Sequence, residues 1–242
     1  MRGARPTRSF TVALIGPDGA GKTTIARRLE SSLPMPVKYL YMGVNPEGSN
    51  HLLPTTRLLR KLKRARGVRD DAGPPDPDKL HTRPQGALGR TRASVKSSLR
   101  LGNRLAEEWY RQWLAWRHLR HGTVVLFDRH FFADYYAYDI ARGKARPLSR
   151  RIHGVLLAHA YPQPDLVVYL DAPAEVLLAR KGEGTIELLE RRRRDYLELA
   201  GLVRNFASVD ADRPLDEVSD EVAARIEAFA RSRGAGARGA EA

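Results

Sequence analysis

Gly16-Pro17-Asp18-Gly19-Ala20-Gly21-Lys22-Thr23-Thr24, entered from the apolar run 10–15, decides how this sequence folds. It meets G-x-x-x-x-G-K-[ST] at every fixed position, with a short β-rich run before it and helical spacing (Ile25, Ala26, Leu29) after it. The residue types follow from the chemistry. Phosphate oxygens need several backbone N–H donors converging on one point, so the chain must curl tightly, and glycines tolerate both the dihedrals and the close approach. The helix opening near Lys22 turns its positive end toward the same anion. Gly16, Asp18, Gly19, Ala20, Gly21, Lys22, Thr23 and Thr24 are therefore the expected binding residues for a nucleoside triphosphate. Lys22 reaches the β and γ phosphates, and Thr23 offers its hydroxyl to Mg²⁺.

Outward from this loop, apolar β-branched runs recur at 11–15, 37–41, 123–127, 166–170 and 206–209, with helical patterns between them. Continuous apolar runs read as strands covered on both faces, which predicts an α/β fold with a doubly wound, five-stranded parallel sheet and helices on both sides. Ligands in such sheets sit beyond the carboxyl ends of the strands, and Gly16, Asp128, Asp171 and Asp210 mark that rim. Residues 1–233 read as one domain. Within it, 43–100 breaks the rhythm and reads in part as an insertion. That insertion holds an all-positive stretch at 57–69, Thr55 or Thr56 as a helix cap, and a proline-rich loop at 70–78. Val95, Leu99, Gly102, Ala106, Trp109, Trp113 and Trp116 then alternate by three and four, predicting a long helix whose tryptophan stripe packs on the sheet. Residues 234–242 are rich in Gly and Ala and read as a frayed, disordered tail.

Composition narrows the classes. The 242 residues carry 42 Lys and Arg against 28 Asp and Glu, a net +14 that favours polyanionic partners, and a basic surface alone would give the same balance. With no cysteine, disulfides, thiolate nucleophiles and cysteine zinc sites are excluded. No apolar run approaches the roughly 18 residues of a membrane span, and the run after the basic N-terminus becomes the glycine loop, so the expectation is a cytoplasmic protein without a transmembrane segment.

Three further stretches carry a resemblance. They are Val124-Val125-Leu126-Phe127-Asp128-Arg129-His130, Pro164-Asp165-Leu166-Val167-Val168-Tyr169-Leu170-Asp171-Ala172-Pro173, and Glu190-Arg191-Arg192-Arg193-Arg194-Asp195-Tyr196-Leu197-Glu198-Leu199. With the glycine loop, and in this order, they resemble the thymidylate kinases and the wider nucleoside-monophosphate kinases of the P-loop class. The resemblance implies a transferase using ATP and Mg²⁺, with dTMP to dTDP as the leading reaction. By the same resemblance, Arg129 holds the acceptor monophosphate, and Asp128 orients either the Mg²⁺ water shell or Arg129. Asp18 meets the acceptor's sugar hydroxyl. Because Gly19 and Ala20 leave the loop without an arginine, a lid at 180–195 supplies the transition-state cation, with Arg180, Lys181, Arg191 and Arg193 as candidates. The loop of Ser208-Val209-Asp210-Ala211-Asp212-Arg213-Pro214 matches the place for adenine, and a homodimer is the assembly the resemblance implies.

The sequence departs from that family around the acceptor. Asn103 and Glu107 fall where a base-stacking phenylalanine and a base-edge arginine are expected, with Arg104 or Arg111 as substitutes after a shift. His130 replaces a tyrosine. Two alternatives follow: a P-loop kinase of a sugar, sugar phosphate or other small metabolite, and a nucleotide-gated module binding nucleic acid or membrane through 57–69. A solvated face is the more frequent fate of such a basic stretch, so nucleic acid is not the expected partner.

Overall fold

The computed structural model describes residues 9–43, 53, 56, 87–136 and 148–239. The basic stretch 57–69, the proline-rich loop 70–78, the Thr55 cap and residues 240–242 lie outside the described residues. Five strands form one sheet: β1 (Thr11–Ile15), β2 (Val37–Tyr41), β3 (Val124–Asp128), β4 (Leu166–Asp171) and β5 (Phe206–Asp210). Their order is β2-β3-β1-β4-β5 and every pairing is parallel. The helices are α1 (Lys22–Ser32), α2 (Ala87–Arg120), α3 (Phe131–Tyr135), α4 (Leu148–His159), α5 (Ala174–Lys181), α6 (Ile186–Glu198) and α7 (Leu215–Gly239). The last of these carries the chain helically through 234–239, which composition alone marked as tail. No helix among the described residues is long and apolar enough to cross a membrane.

Side chains two apart along a strand share a face, and this sheet sorts its core that way. Val12 and Leu14, Val124 and Leu126, and Leu166, Val168 and Leu170 meet α1, α5, α6 and α7 through Ile25, Leu29, Leu177, Leu189, Val222 and Ile226. Their neighbours Ala13, Ile15, Val125, Phe127, Val167 and Tyr169 face the other way, onto Phe131, Phe132, Tyr135, Leu157 and Leu199. Both faces are covered, which is why β1 and β3 are buried along their whole length and read as unbroken apolar runs.

The tryptophan expectation is overturned. Trp109, Trp113 and Trp116 are 40%, 49% and 36% exposed, and Leu99 is 70% exposed, while Glu107, Glu108, Arg111, Gln112 and Ala115 are the buried positions among the described side chains of α2. A stripe at helical spacing shows that one side of a helix is apolar but not which way it turns. Here the polar side turns inward because it has partners there. Glu108 Oε1 lies 2.8 Å from His153 Nε2 of α4, both nearly inaccessible, and Tyr161 donates its hydroxyl to the Glu108 carbonyl. Trp109 instead packs edge-on to Tyr161 and lies beside Trp116.

Candidate active site

The loop between β1 and α1 is shaped by close approach. Gly16 has φ 146°, and a Cβ there would stand 2.5 Å from the Leu170 carbonyl oxygen of β4, so only glycine lets the chain cross. The Lys22 ammonium, on the first residue of α1, folds back and donates to the carbonyls of Gly16 (2.7 Å) and Pro17 (2.6 Å). It is 5% exposed. Burial, with repulsion from Arg129, pushes its pKa down to about 8 against the attraction of Asp18 and Asp128.

The neighbouring strand β3 ends on the same rim. Its last residue, Asp128, is inaccessible, and its Oδ2 accepts from the Thr23 hydroxyl (2.6 Å) and the Tyr39 hydroxyl (2.9 Å). Its Oδ1 is buried without a hydrogen-bond partner among the described residues. A threonine hydroxyl beside a carboxylate with an unused oxygen is a hard-oxygen donor set, and it fits Mg²⁺. Of the two roles expected for Asp128, orienting Arg129 is not met, because that guanidinium turns to Asp18 instead.

Arg129 has φ 68°, the one described non-glycine residue in left-handed backbone. Such strain persists only where surroundings fix it. Its N–H donates to Leu14 O at 3.0 Å, and the Met42 N–H donates to Asp128 O at 3.0 Å, locking the turn to both flanking strands. Asp18 is the centre of a cluster. Besides Arg129 it meets Arg192 at 3.3 Å and Lys181 at 3.9 Å. Burial works to raise its pKa, but Lys22, Arg129 and Lys181 outweigh that and hold the carboxyl well below the usual range. Several cations converging on one loop beside a helix N-terminus make a field that stabilises added negative charge.

The proposed lid residues divide. Arg193 is clamped on β4, with Nε and Nη2 2.8 and 3.0 Å from the two Asp171 oxygens and Nη1 2.6 Å from Glu190. Arg180 donates to the Ala211 carbonyl at 2.8 Å. Together with Gly19, Gly21, Thr24, Ala211, Arg213 and Val218 it lines a cavity of about 250 Å³ beside the loop. Lys181 and Arg192 reach Asp18, and Arg191 lies on the same helix. The lid candidates taken from the resemblance included Arg191 and Arg193 and left out Arg192. Four successive arginines on a helix point about 100° apart, and a linear count does not tell which one meets the loop.

Asn103 and Glu107, on α2, are bonded to Thr56 and Leu53. Asn103 Oδ1 accepts from the Thr56 hydroxyl at 3.3 Å, and Glu107 Oε1 accepts from the Leu53 N–H at 3.1 Å. Arg104 lies over the Tyr135 ring and Arg111 over the Phe131 ring. His130 caps α3 by accepting from the Phe132 N–H at 3.3 Å, and burial pushes its pKa down to about 3, so the ring is neutral. Tyr39, which the sequence reading did not assign, and Arg111, named there only as a substitute at the base edge, carry no motif signal: one sits mid-strand, the other in a helix.

A parallel 2-3-1-4-5 sheet with a glycine loop and helix after its central strand has the architecture of a P-loop nucleotide-kinase fold. No family model matches the chain. It is 34% identical over 118 residues to a protein of Archaeoglobus fulgidus called probable thymidylate kinase, a match covering 46% of this chain and 57% of that protein. The chain thus spans little more than half the length of the curated relative it matches, and the likeness is to a kinase.

Proposed function

We propose that the chain is an ATP-dependent phosphotransferase acting on a nucleoside monophosphate, with dTMP the leading acceptor. The observation that carries this reading is the pairing of two cationic grips on adjacent strand ends, Lys22 after β1 and Arg129 after β3, joined through Asp18. In this reading Lys22 and the loop N–H groups hold the β and γ phosphates, and the cavity walled by Arg180, Ala211 and Arg213 takes the adenine. Thr23 and Asp128 would hold Mg²⁺, which when bound neutralises charge on the phosphate oxygens. Arg129 grips the acceptor phosphate with its planar fork, and Asp18 meets the acceptor's sugar hydroxyl. Arg192, Lys181 and Arg191 supply positive charge to the moving phosphoryl group and exclude water as the helices close. Arg193 belongs to the framework through Asp171. Two copies pairing through helices beside the sheet remain part of this reading.

The test is ADP release across a panel of deoxy- and ribonucleoside monophosphates. Turnover is expected with at least one of them, dTMP first, and release that never depends on an acceptor would overturn the proposal. A second reading, a kinase of a sugar or sugar phosphate, is favoured by Asn103 and Glu107. These are polar, and both already hold hydrogen bonds, from Thr56 and Leu53, where a base would need a stacking surface. Turnover with sugar phosphates and none with nucleotides selects it.

A further inference from the structure

Arg111 is 3% exposed, and nothing in the phosphoryl-transfer reading uses it. A buried guanidinium is costly unless paired, yet its carboxylate neighbour Glu107 stands 3.9 Å away and its Nε–H has no partner among the described residues. Its hydrogen bonds go to backbone. Nη1 donates to the Gly43 carbonyl at 2.8 Å and approaches that of Tyr41 at 3.5 Å, while Cζ lies 5.2 Å from the centre of the Phe131 ring. Arg111 therefore fixes the chain leaving β2 from below.

That chain is the floor under Arg129. A Cβ on Gly43 would stand 2.5 Å from Arg129 Cδ and 2.5 Å from the Tyr41 hydroxyl, so the arginine stem crosses the glycine with no room to spare. Met42, between the two carbonyls held by Arg111, is itself bonded to Asp128. A contact path thus runs from Arg111 through residues 41–43 to the stem of Arg129.

We propose that Arg111 is a positioning residue that aims Arg129 at the acceptor phosphate by holding the Tyr41–Gly43 backbone. The proposal rests on the acceptor reading above. Lysine keeps the charge but lacks the flat fork that both lies over Phe131 and donates to the backbone.

The experiment is steady-state kinetics of Arg111→Lys, Gly43→Ala, Arg129→Ala and the Arg111→Lys/Arg129→Ala double variant, with the acceptor that the wild type turns over. Arg111→Lys and Gly43→Ala are expected to raise the acceptor KM about tenfold or more while the ATP KM stays within about twofold. In the Arg129→Ala background, Arg111→Lys adds nothing. Equal rises in both KM values, or effects that multiply in the double variant, would overturn the proposal. If Arg111→Lys does not fold, Gly43→Ala carries the same expectation from the other side of the floor. A wild type that turns over no acceptor sinks the kinase reading alone. The aiming is then read from the ¹⁵N–¹H resonance of the Arg129 Nε–H, which must shift in Arg111→Lys and whose constancy would refute it.

Discussion

Lys22 shows how a buried charge strains the protein that holds it. Its folded pKa of about 8 lies below the 10.5 of a free lysine side chain, chiefly because it is buried. Between those values the unfolded chain binds a proton that the folded chain has released, so this residue makes stability rise with pH across that window and costs stability below it. An anion in the loop reverses the shift. ATP binding near pH 8.5 is expected to take up protons, and affinity should fall as pH climbs past 8, approaching about tenfold per unit. Titration calorimetry in buffers of different ionisation enthalpy measures both. Lys22→Met should lower turnover by at least about 10²-fold without lowering the melting temperature. At this scale the loop was legible because glycines, lysine and threonine at fixed spacing have one common use. The roles proposed for Arg129 and Asp18 come from resemblance. The contacts of Tyr39 with Asp128 and of Arg111 with residues 41–43 are made between distant segments and leave no local pattern.

Helix α6 separates two tasks among neighbouring residues. Arg193 ties the helix to β4 through a two-pronged contact with Asp171, which also accepts from the Tyr169 hydroxyl. Its pKa is raised by those hydrogen bonds, first of all the ones it donates to Asp171. Arg192 points to the loop instead. Arg193→Ala should thus lower stability by about 1 kcal/mol, given a partly exposed bidentate pair, as read by urea denaturation. Arg192→Ala should leave the unfolding free energy within about 0.5 kcal/mol and lower kcat about tenfold or more. The reverse pattern would exchange the two assignments. Helix α2 teaches the complementary lesson. Its existence was plain from three-four spacing, but its facing was decided by Glu107, Glu108, Arg111 and Gln112, whose partners on other elements made their burial tolerable.

Over the whole molecule, the two faces of the sheet define where substitutions hurt. Leu126, inaccessible on β3, should cost about 2–5 kcal/mol as Leu126→Ala. Trp113→Ala, for all its size, should cost less than about 1 kcal/mol, because half its side chain already faces solvent. Equilibrium unfolding of the two variants compares them directly. Strand number, order of elements and parallel class were readable because both-face burial writes unbroken apolar runs.

The strand order also governs how the polypeptide must be assembled. Thr11 pairs with Val125 on one side, and Val12 with Leu166 on the other. Of the five strands, the one synthesised first is the middle of the sheet, and both its neighbours are synthesised much later. Until β4 emerges, β1 has at least one bare edge and its apolar side chains lack half their cover. Such distant pairing makes for slow folding and long exposure to aggregation, so a nascent chain of this design is a natural client for chaperones that shield extended apolar segments.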